Sequence, residues 1–483
     1  VFLYNQDKKT VSQIKLREIR YDKNIEWQID VVMQSRKKDT QIMDKDRESK
    51  NERAAGPKLS RRKFLAICAG AVVLAGGGWA FSRTQLADRL ASHALGAAQG
   101  KPVLSYLRQV IAADNAHART IMWQSDVKWQ DAVVEYRLKG AKDIAASPAE
   151  RETFTDDGVT VELYTARLAD LEAGEAYEYR IKADGQCDDW HALQTDDGGA
   201  FSALIFPDSQ SNDYTDWKHL AQDAAARNEG ADFFINMGDL VDNGEDHRQW
   251  DAWFDAVAGI IDRIPVAPLM GNHETYNEDW KVREPVAYLH EFALPANGSE
   301  EFAGRYYSFD YGPAHFIVLD TQTDEAADFH QGLLEAQQAW FREDVRKTDK
   351  KWKIVLMHKD PLQYRIANRP ERQEGFSDEG RAWMPLFDEA GIDVVFSAHL
   401  HTYRNRGHIK NFERDASGPL YILTGVAGNV RYPGLWVDHA LDKTVAPQPE
   451  TDNYLTLCVK DAGVEIACFL PDGTEIDRET LQK

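Results

Sequence analysis

Ala203-Leu204-Ile205-Phe206-Pro207-Asp208-Ser209-Gln210 and Phe233-Phe234-Ile235-Asn236-Met237-Gly238-Asp239-Leu240-Val241-Asp242 decide the reading of this chain. Each is a short apolar run that ends in an Asp on a turn. Continuous apolar runs of about four to eight residues, bounded by turn residues, read as fully buried strands. A carboxylate just past such a strand sits where open α/β sheets place ligands. Two of these strand ends in succession bring two hard oxygen ligands side by side.

Working outward, three more apolar segments end in the same way. Residues 266–269 lead into Gly271-Asn272-His273-Glu274, residues 353–357 end in His358, and residues 394–397 lead into Ala398-His399-Leu400-His401. Helical patterns at 216–227, 246–261, 333–348 and 384–390 fall between them. Strands are expected at 306–311 and 315–320, around Gly312-Pro313, and at 419–424. A strand followed by a loop ligand, five times over, predicts a layered α/β domain with one site along a sheet edge.

The polar set on these loops is Asp208, Gln210, Asp239, Asp242, Asn272, His273, His358, His399 and His401. Carboxylate mixed with imidazole suits Mn, Fe, Zn or Co rather than calcium. One ion takes four or five such groups, so the surplus points to two ions sharing a carboxylate. A pair about 3.5–4 Å apart clamps the attacking and leaving oxygens of a phosphoryl transfer. Singly, each element has a bland alternative. Gly238-Asp239 is a common turn, Asn272-His273 reads as a helix cap, and His399 and His401 would share one face of a strand. Their order, each behind an apolar run, is what makes them a site.

Composition bounds the rest. The 483 residues carry a formal charge of −22, unevenly spread. Residues 1–83 hold 18 Lys/Arg against 10 Asp/Glu, and the remaining 39 Lys/Arg face 69 Asp/Glu. So acidic a body is a poor candidate for binding a nucleic-acid backbone or an anionic membrane surface. Four cysteines are too few for a disulfide scaffold. Cys458 and Cys468 lie in two alternating segments that read as a hairpin, either bonded across it or as two buried thiols. Cys187 has no evident partner. Short alternating runs at 120–124, 133–138, 158–163 and 177–183 predict a small β-sandwich over 101–198, without a catalytic cluster.

The order Asp208-x-Gln210, Gly238-Asp239-x-x-Asp242, Gly271-Asn272-His273-Glu274, Val355-x-x-His358 and Ala398-His399-x-His401 resembles the calcineurin-like metallophosphoesterases. With the β domain ahead of it, residues 100–440 resemble the purple acid phosphatase branch. Residues 165–180 are similar to the corner of fibronectin type III domains where a Leu and a Tyr pack. The resemblance implies an α/β fold: a layered metallophosphatase β-sandwich flanked by helices, preceded by a small all-β fibronectin type III-like sandwich. It implies a catalytic domain over 200–440, with a hairpin in 441–483 completing it. It implies two divalent or mixed-valence transition-metal ions (Mn, Fe or Zn). Asp208 and His401 would hold the first, Asp239 would bridge, and Asn272, His358 and His399 would hold the second. Gln210 would stand where a His or Gly is usual. His273 would face the substrate, oriented by Asp242. A metal-bound hydroxide would attack phosphorus in line, cleaving monoesters or diesters of small phosphorylated substrates. The competing expectation is a catalytically degenerate binding module of the cell envelope. A third is an adhesive protein dominated by the sandwich.

Three departures follow from the same comparison. Gln210 is a neutral ligand and should leave the first metal looser. Asp242 stands where purple members carry Tyr, which predicts no absorption band in the region of about 500–600 nm typical of that family. Ala398 replaces Gly, which is acceptable if its φ is negative. Substrate contacts are expected from loops at 275–300, 325–332, 360–380 and 403–415, with Tyr276, His330, Arg365 and Tyr403 as candidates.

The N-terminus reads as targeting. Ser60-Arg61-Arg62-Lys63-Phe64-Leu65 precedes a Gly/Ala-rich apolar run to Ala80. That is the layout of a twin-arginine export signal, over 60–83. A membrane anchor is the alternative, and membrane contact is expected only if the segment is retained. Residues 1–59 form a polar leader. A start at Met43 would make residues 1–42 upstream sequence. The expected location is the periplasm, envelope or exterior, and the sequence assigns no oligomeric state.

Overall fold

The computed structural model describes residues 101–483. The leader, the twin-arginine segment and Cys68 lie outside the described residues. Among those described, no helix is long and apolar enough to cross a membrane.

The N-terminal sandwich is built from β1 (Ser105–Val110), β2 (Arg119–Ser125), β3 (Val133–Leu138), β4 (Ala145–Pro148), β5 (Glu150–Asp156), β6 (Val159–Leu168), β7 (Ala176–Ala183) and β8 (His191–Gln194). One sheet runs β1-β2-β6-β5, and the facing sheet pairs β4, β3, β7 and β8. On β7 every second side chain is buried, which places Tyr177, Tyr179, Ile181 and Ala183 inward. They pack on Trp123, Trp129 and Tyr164. The corner expected at 165–180 is present. The backbone N–H of Glu172 donates to Tyr177 Oη at 2.9 Å, beside buried Leu171.

The second part contains β9 (Phe201–Phe206), α1 (Thr215–Arg227), β10 (Phe233–Asn236), α2 (His247–Ala256), β11 (Val266–Pro268), α3 (Val286–Glu291), β12 (Tyr307–Tyr311) and β13 (Ala314–Leu319). It continues with α4 (Leu333–Lys347), β14 (Trp352–Met357), α5 (Asp378–Ala390), β15 (Val394–Ser397), β16 (Tyr403–Lys410), β17 (Leu420–Thr424), β18 (Tyr454–Lys460), β19 (Gly463–Phe469) and β20 (Glu475–Gln482). Two sheets face each other. The first has the order β20-β19-β18-β9-β10-β11 and the second β12-β13-β14-β15-β17-β16. Strands buried on both faces serve two layers at once. On β9, Ala203 and Ile205 join the core between the sheets, while Leu204 and Phe206 join the core under α1 and α2. On β14, Ile354 and Leu356 point into the first of these cores, and Val355 and Met357 pack toward α4 and α5. The result is helix, sheet, sheet, helix.

The first sheet does not stop at β11. Val110 of β1 pairs in parallel with Val266, so the sandwich sheet and the first sheet of the second part form one ten-stranded ladder. The join is buried and polar. Arg108 Nη2 lies 2.8 Å from Glu291 Oε2, and Gln124 donates to the other oxygen at 2.6 Å.

Several expectations need correction. Helix α5 starts at Asp378, not 384, because the Ser377 hydroxyl caps it by accepting from Gly380 N–H. Residues 403–410 form β16 rather than a substrate loop. Cys458 pairs with Glu465 and Cys468 with Leu455. These register positions lie on opposite sheet faces, so the two thiols are free and unbonded.

Two histidines fix pH behaviour far from the expected site. His191 bridges Asp188 and Asp262, and His315 bridges Asp310 and Asp344. Burial disfavours their charged forms, but the flanking carboxylates overcome it and raise each to about 9. A raised folded-state value gives stability that is complete below the unfolded value of 6.5 and lost as pH rises through about 9. Each pair contributes roughly 2 kcal/mol, discounted from the full linkage value because the rings keep some solvent. Calorimetry should therefore show Tm falling by about 5 °C between pH 7 and pH 10, and His315→Asn should flatten that slope.

Candidate metal centre

Strands β9, β10 and β11 are parallel neighbours, as are β14, β15 and β17 in the opposite sheet. The packed sheets bring both sets of carboxyl ends together. Asp208 follows β9, Asp239 follows β10, Asn272 and His273 follow β11, His358 follows β14, and His399 and His401 follow β15. The residues thus line the edges of two sheets, not the single edge expected.

Tight turns aim the side chains. Gly238 and Asp239 have φ of 91° and 48°. A Cβ on Gly238 would meet His358 Nδ1 at 2.6 Å, so only glycine fits there. His399 and His401 have φ of 76° and 53°. They lie on a bend rather than on a strand, and the strain falls on them instead of on Ala398.

Two trios of potential ligand atoms form, each with its atoms within 4.8 Å of one another: Asp239, His358 and His399, and Asp208, Asp239 and His401. Asp239 belongs to both. His358 Nε2 lies 3.2 Å from Asp239 Oδ2 and 3.3 Å from Asn272 Oδ1. His401 Nε2 lies 3.5 Å from Asp208 Oδ1 and 3.4 Å from Gln210 Nε2. The tautomers follow from backbone partners. Nδ1–H of His358 donates to Met237 O at 2.9 Å, and Nδ1–H of His401 to Val430 O at 2.6 Å. Both Nε2 lone pairs then face the cluster. His273 Nδ1 lies 2.8 Å from the backbone carbonyl of Asp242, while its carboxylate is 3.7 Å away. The nearer partner of His273 on Asp242 is thus the main-chain carbonyl rather than the carboxylate.

Among the protein groups alone, burial pushes Asp208 up to about 8. Burial also opposes ionisation of Asp239, but His358 and His273 overcome it and hold that carboxyl below its ordinary range. Burial disfavours charge on His358, yet Asp239 and Asp208 raise it to about 9. His401 is pushed down to about 4, mainly by burial. Near neutral pH both Asp208 and His358 thus hold protons that an entering metal ion must displace.

The residues fit a metal pair. Buried Gln210 Oε1 and His399 Nδ1 have no hydrogen-bond partner among the described residues. Orphaned acceptors of this kind beside two carboxylates are what oxygen- and nitrogen-bound transition metals take.

The substrate candidates divide. Tyr276 lies against the centre, its ring 5.6 Å from that of His273. His330 is paired with Glu284 at 2.9 Å, and Arg365 is exposed. Tyr403 is buried, and its hydroxyl donates to Asp477 at 2.7 Å, which takes it out of any substrate loop. The sequence reading gave Glu274 no role. Its carboxylate accepts from the N–H groups of Gly271 (2.7 Å), Leu240 (2.8 Å), Asp239 (3.0 Å) and Val241 (3.3 Å). It ties two ligand-bearing turns together. The only advance signal was its place directly after Asn272-His273.

Residues 187–403 match the family model for the calcineurin-like phosphoesterase, and residues 107–195 match that for the purple acid phosphatase N-terminal domain. Purple acid phosphatase 23 of Arabidopsis thaliana is 31% identical over 192 residues, which is 38% of this chain and 38% of the relative. Purple acid phosphatase 18 of the same plant is 26% identical over 322 residues, 66% of this chain and 70% of the relative. The chain thus spans less than two-fifths of the first relative's length. Purple acid phosphatase PPD1 from yellow lupin seeds superposes with a TM-score of 0.65 at 17% identity, covering 78% of this chain and 74% of that one. At that identity the superposition speaks for the fold alone. The chain carries a calcineurin-like phosphoesterase domain preceded by the purple acid phosphatase N-terminal domain.

Proposed function

We propose that the protein is an exported phosphohydrolase that cleaves phosphate monoesters or diesters at a two-metal centre. One observation carries the reading: two trios of potential ligand atoms, buried except for half-buried His399, share Asp239. Asp208, Gln210 and His401 would hold one ion, Asn272, His358 and His399 the other, with Asp239 between them. When bound, a pair of transition-metal ions supplies Lewis acidity toward the phosphoryl oxygens and activates the attacking water. The chain's own contribution is preorganisation. Met237 and Val430 fix two imidazole tautomers, and Glu274 fixes the turns. His273, held through the Asp242 carbonyl, offers Nε2 to the departing oxygen.

The test strips the full chain and reloads it separately with Mn, Zn and Fe. Release from p-nitrophenyl phosphate is then compared with release from its bis ester. Metal-dependent hydrolysis is expected, and the ratio of the two rates assigns monoesterase or diesterase. Two bound ions without turnover of either ester would reject the reading. Export rests on Ser60-Arg61-Arg62-Lys63-Phe64-Leu65 and the apolar run behind it. Replacing Arg61 and Arg62 together by Lys should leave the protein inside the cell. The sandwich is read as fibronectin type III-like, supported by the Tyr177 corner.

A further inference from the structure

His273 is walled by aromatic rings. Trp280 stands edge-on to it at 5.8 Å and 87°, and Tyr276 at 5.6 Å and 84°. The two rings are 6.0 Å apart. Tyr276 is buried, whereas Trp280 is half-buried and keeps surface toward solvent.

Trp280 holds a φ of 59°, a left-handed conformation that bulky residues rarely adopt. The surrounding turn enforces it. Tyr276 and Val282 form a bridge, Asn277 N–H donates to Lys281 O at 2.9 Å, and Trp280 N–H donates to Asn277 O at 2.8 Å. Asn277 Oδ1 accepts from the N–H groups of Asp279 and Lys281 at 3.1 and 2.8 Å. At the base, Arg283 joins Asp156 at 2.7 Å and Glu245 at 2.9 Å. Asp156 ends β5, so the N-terminal sandwich buttresses the turn. A strained conformation fixed from several sides beside a catalytic group is the kind that serves a site.

The placement has a chemical reading. His273 Nε2 has no hydrogen-bond partner among the described residues, its nearest carboxylate oxygen being Asp239 Oδ2 at 3.9 Å. On the phosphoesterase reading that nitrogen serves an ester oxygen, and the organic group on that oxygen would then lie along the wall beside His273. We propose that Trp280 is a specificity-determining residue, stacking on an aromatic group carried close to the ester oxygen, so that aryl phosphoesters are favoured over alkyl ones. This rests on the phosphoesterase reading above and deepens it.

The experiment uses the full metal-loaded chain and two inert probes, phenylphosphonate and methylphosphonate, titrated calorimetrically. Phenyl phosphate and glycerol phosphate serve as the matching esters. The phenyl probe should bind about 10-fold more tightly than the methyl probe. Trp280→Asn removes the ring but suits a left-handed backbone, so it should erase that preference and leave methylphosphonate affinity within about 2-fold. Its KM for phenyl phosphate should rise about 10-fold with little change in kcat, and Trp280→Phe should keep most of the preference. Equal affinities for the two probes in the unaltered protein would overturn the inference. So would an equal loss for both probes in Trp280→Asn, which would mark a structural role. Selective binding without turnover would reject the phosphoesterase reading and uphold this one.

Discussion

Asp239→Asn is expected to lower kcat/KM for any phosphoester by at least about 10³-fold, a loss of roughly 4 kcal/mol in transition-state stabilisation. The substitution is nearly isosteric. Asn tolerates the φ of 48° at this position, and its oxygen can still accept from His273 N–H, as Asp239 Oδ1 does at 2.9 Å. The fold should therefore survive. What changes is charge. Asp239 is the one residue common to both ligand trios. A neutral amide there removes the only anion that both ions would share. It also turns an N–H₂ group toward His358 Nε2, where a carboxylate oxygen stood at 3.2 Å. Mutations in residues that merely support a ligand cost about 10–100-fold, so the shared ligand should cost more. Mass spectrometry of the reloaded variant should find at most one ion per chain. Calorimetric metal titration near pH 7 should release about one proton fewer, because His358 no longer keeps the partner that raises it to about 9. Two bound ions with near-normal turnover in this variant would refute the shared-carboxylate centre.

Glu274→Ala should be the most damaging change to stability near the site, at about 4 kcal/mol, or a fall of about 5 °C in Tm. The wild-type carboxylate is buried and accepts from four backbone N–H groups on two turns. Truncation leaves those donors without partners and opens a cavity between the turns that carry Asp239 and His273. Glu274→Gln keeps the volume and one acceptor but aims an N–H₂ group at donors, so about 2–3 kcal/mol is expected. Metal content should fall in both variants. Glu274→Ala within 1 kcal/mol of wild type, by denaturant titration, would exclude the keystone role.

The second half was legible because its strands are buried on both faces. Runs such as 203–206, 233–236 and 354–357 have no solvent side, so they stand out as apolar blocks with ligands at their ends. The elements that went unread are those whose polar residues find partners elsewhere. In β1, Arg108 and Gln109 are fully buried, and their partners sit on distant segments. In β5 only Phe154 is buried, so the charged edge strand shows little alternation. The first turns of α5 carry Asp378, Glu379 and Gly380, and only the Ser377 cap explains their helix. At the site, residue types gave the ligand set but not the conformation. The left-handed backbone at His399 and His401, and the amide cradle of Glu274, are consequences of chain crossings that no local pattern records.

The pairing of Val110 with Val266 bears on how this protein can be divided. In sequence, the two family matches meet at 187–195, which looks like a place to cut. In hydrogen bonding, there is no seam. A fragment beginning at residue 200 would leave β11 with an open, unpaired edge, and would strand Glu291 in the interior without the cation of Arg108. The two inherited modules therefore behave as one cooperative body. A recombined second half would need a borrowed strand before it could remain soluble, and heat should melt both halves in a single transition.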